Sequence, residues 1–147
     1  MLTGNTTLNL LHRGSIVCRI CDIIEPIIKT SGGFMVNRER LSKEFCELVS
    51  IDAPTLGERE IADLLKVKLE ELGFQVQEDN AGELIGGNCG NLFATLEGEI
   101  VGLPLLFSSH MDTVEPALNK RPIVHPDGRI TRSGDTVLGA DDVAGIV

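Results

Sequence analysis

The chain has 147 residues, 42% of them hydrophobic and 24% charged, which is the composition of a soluble globular protein and the length of one domain. A formal net charge of −9, with Lys and Arg scattered among more numerous acids, argues against a nucleic-acid-binding face. There is no Trp or Tyr, so the core must be built from Leu, Ile, Val and five Phe, which suits buried α/β packing.

Residues 1–34 show no convincing domain pattern. The run from Ser15 to Ile28 is apolar, but Arg19, Asp22 and Glu25 interrupt it, so it is neither a signal-peptide core nor a membrane span. With no export signal ahead of them, Cys18, Cys21, Cys46 and Cys89 do not read as a disulfide framework, and a reducing cytoplasm is the expected location. Cys18 and Cys21 have the spacing of a zinc knuckle or redox motif but lack a second ligand pair or a thioredoxin-like context. Ser31-Gly32-Gly33-Phe34 precedes Met35 as a translated ribosome-binding sequence precedes a bacterial start codon, so a mis-assigned start is expected. The alternative is a helical extension carrying Ile20, Ile23, Ile24, Ile27 and Ile28 on one stripe, which Pro26 would interrupt.

From Asn37 the pattern becomes regular. Leu41, Phe45, Leu48 and Val49 recur at helical spacing behind Asn37, a good N-cap. Thr55 and Glu58 then have the spacing of a capping box, and Ile61, Leu64, Leu65, Leu69 and Leu72 form a second apolar stripe that ends at Gly73. The charges Glu58, Glu60, Lys66, Lys68, Glu70 and Glu71 are expected to lie on solvated faces of that helix.

Strands are expected over Phe74 to Gln77, Leu92 to Leu96 and Leu103 to Phe107, the last as a central strand because its apolar run is continuous. Gly86-Gly87-Asn88-Cys89-Gly90 lacks the phosphate-loop pattern and reads as a turn. Asp127-Gly128 between Pro122 to His125 and Arg129 to Thr131 predicts a tight hairpin. His125 at the hairpin and His12 in the N-terminal segment read as solvated rather than functional. Ala144-Gly145-Ile146-Val147 reads as the opening of a helix, so the fold is expected to be incomplete, with apolar surface and a strand edge left open.

Two segments carry chemistry. Ser109-His110-Met111-Asp112-Thr113-Val114 follows a strand directly, where open α/β sheets present ligand-binding residues. Zinc binds neutral imidazole, and a carboxylate on the other ring N–H fixes the tautomer, so His110 and Asp112 can supply a ligand and its orienter within three residues. Taken alone, His-x-Asp is more often a surface turn with an incidental ion pair. Gly139-Ala140-Asp141-Asp142 is a second acidic segment that can bring a carboxylate to His110, although such a pair is commonly an N-cap with a first-turn acid.

Together, Ser-His-Met-Asp-Thr-Val and Leu-Gly-Ala-Asp-Asp-x-Ala-Gly resemble the metal-site motifs of peptidase T-like zinc exopeptidases, in the superfamily of aminoacylase and carboxypeptidase G. The resemblance runs from about Met35 to Val147 and takes in Met35 to Leu41, Glu47 to Asp52 and Gly90 to Leu92. It implies an α/β fold, the N-terminal part of a zinc-exopeptidase catalytic domain with a mixed sheet flanked by helices, over residues 35–147. It further implies that His110 binds one zinc, that Asp112 orients His110, that Asp141 bridges two zinc ions, and that a cis Asp141–Asp142 peptide is allowed.

Val143 departs from the family, where a lysine is common. By the resemblance, the Glu-Glu pair holding the general base, the remaining ligands and an inserted lid or dimerisation domain lie beyond Val147. The implied activity is removal of N-terminal residues from short peptides in the cytoplasm by a homodimer of the intact enzyme, with no membrane or nucleic-acid partner. The 147-residue chain alone is expected to be inactive. A related amidase acting on acylated amino acids, and a truncated non-catalytic product, are the alternatives.

Overall fold

The computed structural model describes residues 15–20, 36–99 and 102–147, the first of these for their backbone alone. Strand β1 (Ser15–Ile20) is followed by helices α1 (Arg38–Val49) and α2 (Arg59–Glu71), strand β2 (Gln75–Glu78) and a short helix α3 (Ala81–Ile85). Strands β3 (Leu92–Leu96), β4 (Leu105–His110), β5 (Pro122–Val124) and β6 (Ile130–Arg132) and helix α4 (Ala140–Ile146) complete the order. His12, Cys21 and Ile23 to Ile28, which entered the sequence reading, lie outside the described residues.

The helix boundaries follow local chemistry. Asn37 caps α1, its Oδ1 accepting the Arg40 N–H at 2.9 Å. Helix α2 ends where Gly73 takes φ +90°, which lets the Phe74 N–H reach the Leu69 carbonyl at 3.0 Å. Its start differs from the expected capping box. Glu58 is the N-cap and is buried, its carboxylate accepting the Leu56 N–H at 2.7 Å, so it is not a solvated charge. The first helical N–H, that of Arg59, goes to Asn88 Oδ1 at 3.0 Å, so a distant loop residue caps the helix and the Thr55 hydroxyl is left for another partner.

The main sheet has the order β2-β3-β1-β4 and is mixed: β1 runs parallel to β3 and antiparallel to β4, and β2 is antiparallel to β3. Strand β1 therefore occupies the interior of the sheet, within a segment where the sequence shows no domain pattern. Strand β4 is an edge among the described strands, not the central strand that its apolar run suggested. Its Leu106 is 57% and Phe107 52% exposed, and Leu103 just before it is 90% exposed. A continuous apolar run marks two faces meant for burial, and here α4 packs against the strand while Leu106 and Phe107 stay half exposed.

Leu48, Val49, Ile61, Ala62 and Leu65 from the two long helices pack with Leu92, Met111 and Val143 to form the core. The hairpin forms as expected. Strands β5 and β6 pair antiparallel around a three-residue loop, closed by the His125 N–H to the Arg129 carbonyl at 2.8 Å. No described helix is long and apolar enough to cross a membrane.

Candidate metal centre

The C-terminal end of β4 delivers His110 to the rim of the sheet, and the buried Met111 anchors the chain immediately after it. The chain then turns so that Asp112 reaches back to the ring. His110 Nδ1 lies 3.0 Å from the Asp112 carbonyl and 3.1 Å from its Oδ1. Both are acceptors, so Nδ1 carries the proton and the neutral ring presents its lone pair at Nε2.

The second segment arrives through Gly139, whose φ of +82° turns the chain into α4. Gly139 also sits against Thr113 and Lys120: a Cβ placed there would be 3.1 Å from Thr113 Cγ2 and 3.4 Å from Lys120 Cδ. Gly139 is the N-cap of α4, and Asp141 and Asp142 lie in its first turn with non-helical dihedrals and a cis peptide between them. The turn splits their roles. Asp142 accepts the Ser109 hydroxyl at 2.7 Å on its Oδ2, whereas Asp141 directs its Oδ1 to within 3.4 Å of His110 Nε2, its side chain 92% exposed.

Burial pulls the His110 imidazole pKa down, but the Asp112 carbonyl and the carboxylates of Asp112, Asp141 and Asp142 outweigh it and hold the group above its ordinary value. A carboxylate facing Nε2 is favoured by positive charge at that nitrogen, either a proton on the ring or a metal cation held between the two donors. Zinc at about 2.0–2.2 Å from each donor in a tetrahedron sets its ligands roughly 3.3–3.5 Å apart. The Nε2 to Oδ1 separation of 3.4 Å fits that spacing. The donor count does not close a site: among the described residues no group of three or more His, Cys, Asp or Glu is placed to hold a metal ion. Nitrogen and oxygen donors are of the kind that zinc takes, and a closed site would need ligands beyond these two.

Two contributors lie outside the sequence motifs. Thr55 donates its hydroxyl to Asp112 Oδ2 at 2.7 Å, where the sequence offered only a helix cap. Lys120 is buried at 4% exposure beneath Gly139, with its ammonium 3.4 Å from Thr113 Oγ1. Nothing in its Asn-Lys-Arg context marks it as buried, because its environment is made by segments far along the chain.

No family model matches the chain. It is 46% identical over 112 residues to the uncharacterized protein YqjE of Bacillus subtilis, covering 76% of this chain and 30% of that protein. Among solved structures, it matches a tripeptidase of Staphylococcus aureus at 42% identity and a TM-score of 0.67. It also matches the aminopeptidase PepT of Bacillus cereus at 40% identity and a TM-score of 0.68. Each match covers 76% of this chain and 30% of the other, so the chain spans under a third of the length of the proteins it matches. The resemblance to peptidase T-like enzymes, read from the two motifs, thus holds in sequence and in fold, and the chain has the fold of part of a peptidase domain.

Proposed function

We propose that this chain forms the first part of a two-zinc exopeptidase that removes N-terminal residues from short peptides, with His110 and Asp141 as metal ligands and Asp112 as the orienter of His110. The spacing of His110 Nε2 and Asp141 Oδ1, two lone-pair donors 3.4 Å apart with the other ring nitrogen held by Asp112, carries the reading. The tripeptidase and the aminopeptidase among the matched structures support a peptide substrate over an acylated amino acid.

When bound, zinc supplies Lewis-acid polarisation of a carbonyl and acidification of water. The chain's own residues prepare the place for it. Asp112 holds the Nδ1–H tautomer so that Nε2 is free to ligate, and Ser109 keeps Asp142 turned away from the ring while Asp141 faces it. The exposed Asp141 carboxylate keeps its second oxygen open to a further cation, as a bridging ligand requires. The general base and the other ligands belong to the part of the intact enzyme that this chain does not cover.

The 147-residue chain on its own is proposed to be inactive, because its described residues offer no third ligand. The intact protein is proposed to act in the cytoplasm, as a homodimer built through another domain. Metal analysis and a tripeptide hydrolysis assay on an intact enzyme carrying these motifs test the function. About two zinc ions per chain and chelator-sensitive hydrolysis are expected. A folded protein with His110 and Asp141 in place, but with neither zinc nor hydrolysis, overturns the proposal.

A further inference from the structure

We propose that Thr55 is a positioning residue for this centre: its hydroxyl fixes the Asp112 carboxylate, which joins the Asp112 carbonyl, 3.0 Å from His110 Nδ1, in setting the tautomer and orientation of His110. The role rests on the metal-centre reading above and extends it to a segment 57 positions earlier in the chain. A carboxylate turns easily about its terminal bond, so one contact to His110 does not define its plane. In this structure both oxygens are taken, Oδ1 at 3.1 Å from His110 Nδ1 and Oδ2 by the Thr55 hydroxyl at 2.7 Å.

Thr55 is itself held by the backbone around it. Pro54 forms a parallel bridge with Thr113, and the Thr113 N–H donates to the Ala53 carbonyl at 2.8 Å. Two residues earlier, Asp52 accepts the Asn119 N–H on both oxygens at 2.9 Å. The segment from Asp52 to Thr55 thus clamps the turn that follows β4, and the hydroxyl meets Asp112 at a place set by that clamp. Helix capping does not compete for it, because α2 begins at Arg59, whose N–H is bonded to Asn88.

The test uses the 15N-labelled 147-residue chain with zinc alone as the probe, at a pH high enough to keep His110 neutral. Long-range 1H–15N correlation spectra report which ring nitrogen carries the proton, and competition with a chromogenic chelator reports zinc affinity. The wild type is expected to hold the Nδ1–H tautomer. Thr55→Val, which keeps the shape and removes the hydroxyl, is expected to raise the Nε2–H population several-fold and to weaken zinc binding by about tenfold, with Thr55→Ser restoring both. Thr55→Ala gives the same comparison if the valine variant does not fold. A wild-type tautomer in a folded variant without the hydroxyl overturns the role, whatever zinc does. If the tautomer responds while the wild type takes up no zinc, Thr55 positions His110 and the two donors of this chain do not by themselves retain the metal, which leaves the metal assignment to the analysis of the intact enzyme.

Discussion

Asp141 and Asp142 are chemically identical neighbours, yet the turn at Gly139 sends one carboxylate to His110 and the other to Ser109. Lys120 shows the same dependence on surroundings. Burial pushes its ammonium below the ordinary lysine range, and the attraction of Asp52 and Glu115 only partly offsets this. A lysine with a lowered folded-state pKa binds fewer protons when folded than when unfolded, so stability rises with pH between the two values. At pH 7 the charged form is a net cost of burial. Lys120→Met is therefore expected to melt at an equal or higher temperature than the wild type at pH 7. The wild type should gain on the variant as pH climbs through the folded pKa toward about 10.4. Thermal denaturation at pH 7 and at pH 10 checks this, and a clearly lower melting temperature for the variant at pH 7 would show that the ammonium is net stabilising.

At the scale of elements, α2 is tied to the sheet by charge as well as by its apolar stripe. Arg59 on its first turn pairs with Glu78 at the end of β2 and with Asp63 one turn on, at 2.7 Å for the latter. The Arg59 hydrogen bond is the main reason the Glu78 carboxyl is held below its usual pKa, burial opposing it and the Gly90 N–H assisting. A depressed carboxyl pKa contributes stability that is complete above the unfolded value of about 4.3 and disappears as pH falls through the folded one. Urea denaturation of Glu78→Gln is expected to show less stability than the wild type at pH 7 and a narrowing gap as pH drops below about 4. A gap that stays constant with pH would remove the charge from the explanation. Lys68 adds a second tie, reaching Glu47 on α1 at 2.9 Å, and its partial exposure keeps that pair a modest contributor.

For the molecule as a whole, β1 is the element with the largest consequence. Strands β3 and β4 do not pair with each other; each pairs with β1, in registers that set Ile16 beside Leu92 and Ser15 beside His110. A chain beginning at Met35 would leave both inner edges without partners, and unpaired strand edges are both costly and aggregation-prone. Such a chain is expected to lose the cooperative thermal transition of the 147-residue protein in circular dichroism. An unchanged transition would show that β1 is dispensable and that other contacts join β3 to β4. Whether the native protein starts at Met1 or at Met35 is a separate matter, decided by sequencing its N-terminus.

Locally encoded features were legible in the sequence. Asn37 as a cap, Gly73 as a helix stop, the stripe of Ile61 and Leu65, and the Asp127-Gly128 hairpin each depend on a few adjacent residues, and backbone sterics or periodicity decide them. His110, Asp112 and Asp141 were legible as candidates because two short motifs carry them, and the fold sets them side by side. Tertiary structure alone decided the rest. Thr55 and Glu58 have capping-box spacing, but Asn88 from another loop takes the Arg59 N–H, Glu58 turns inward and Thr55 turns to Asp112. The run Leu103 to Phe107 has the composition of a buried strand, while its edge position follows from which strands lie beside it. Lys120 is buried by Gly139 and Thr113, and Ser15–Ile20 becomes an inner strand because β3 and β4 each pair with it. Such contacts join residues tens of positions apart, and neither local propensity nor side-chain period contains the information that they will meet.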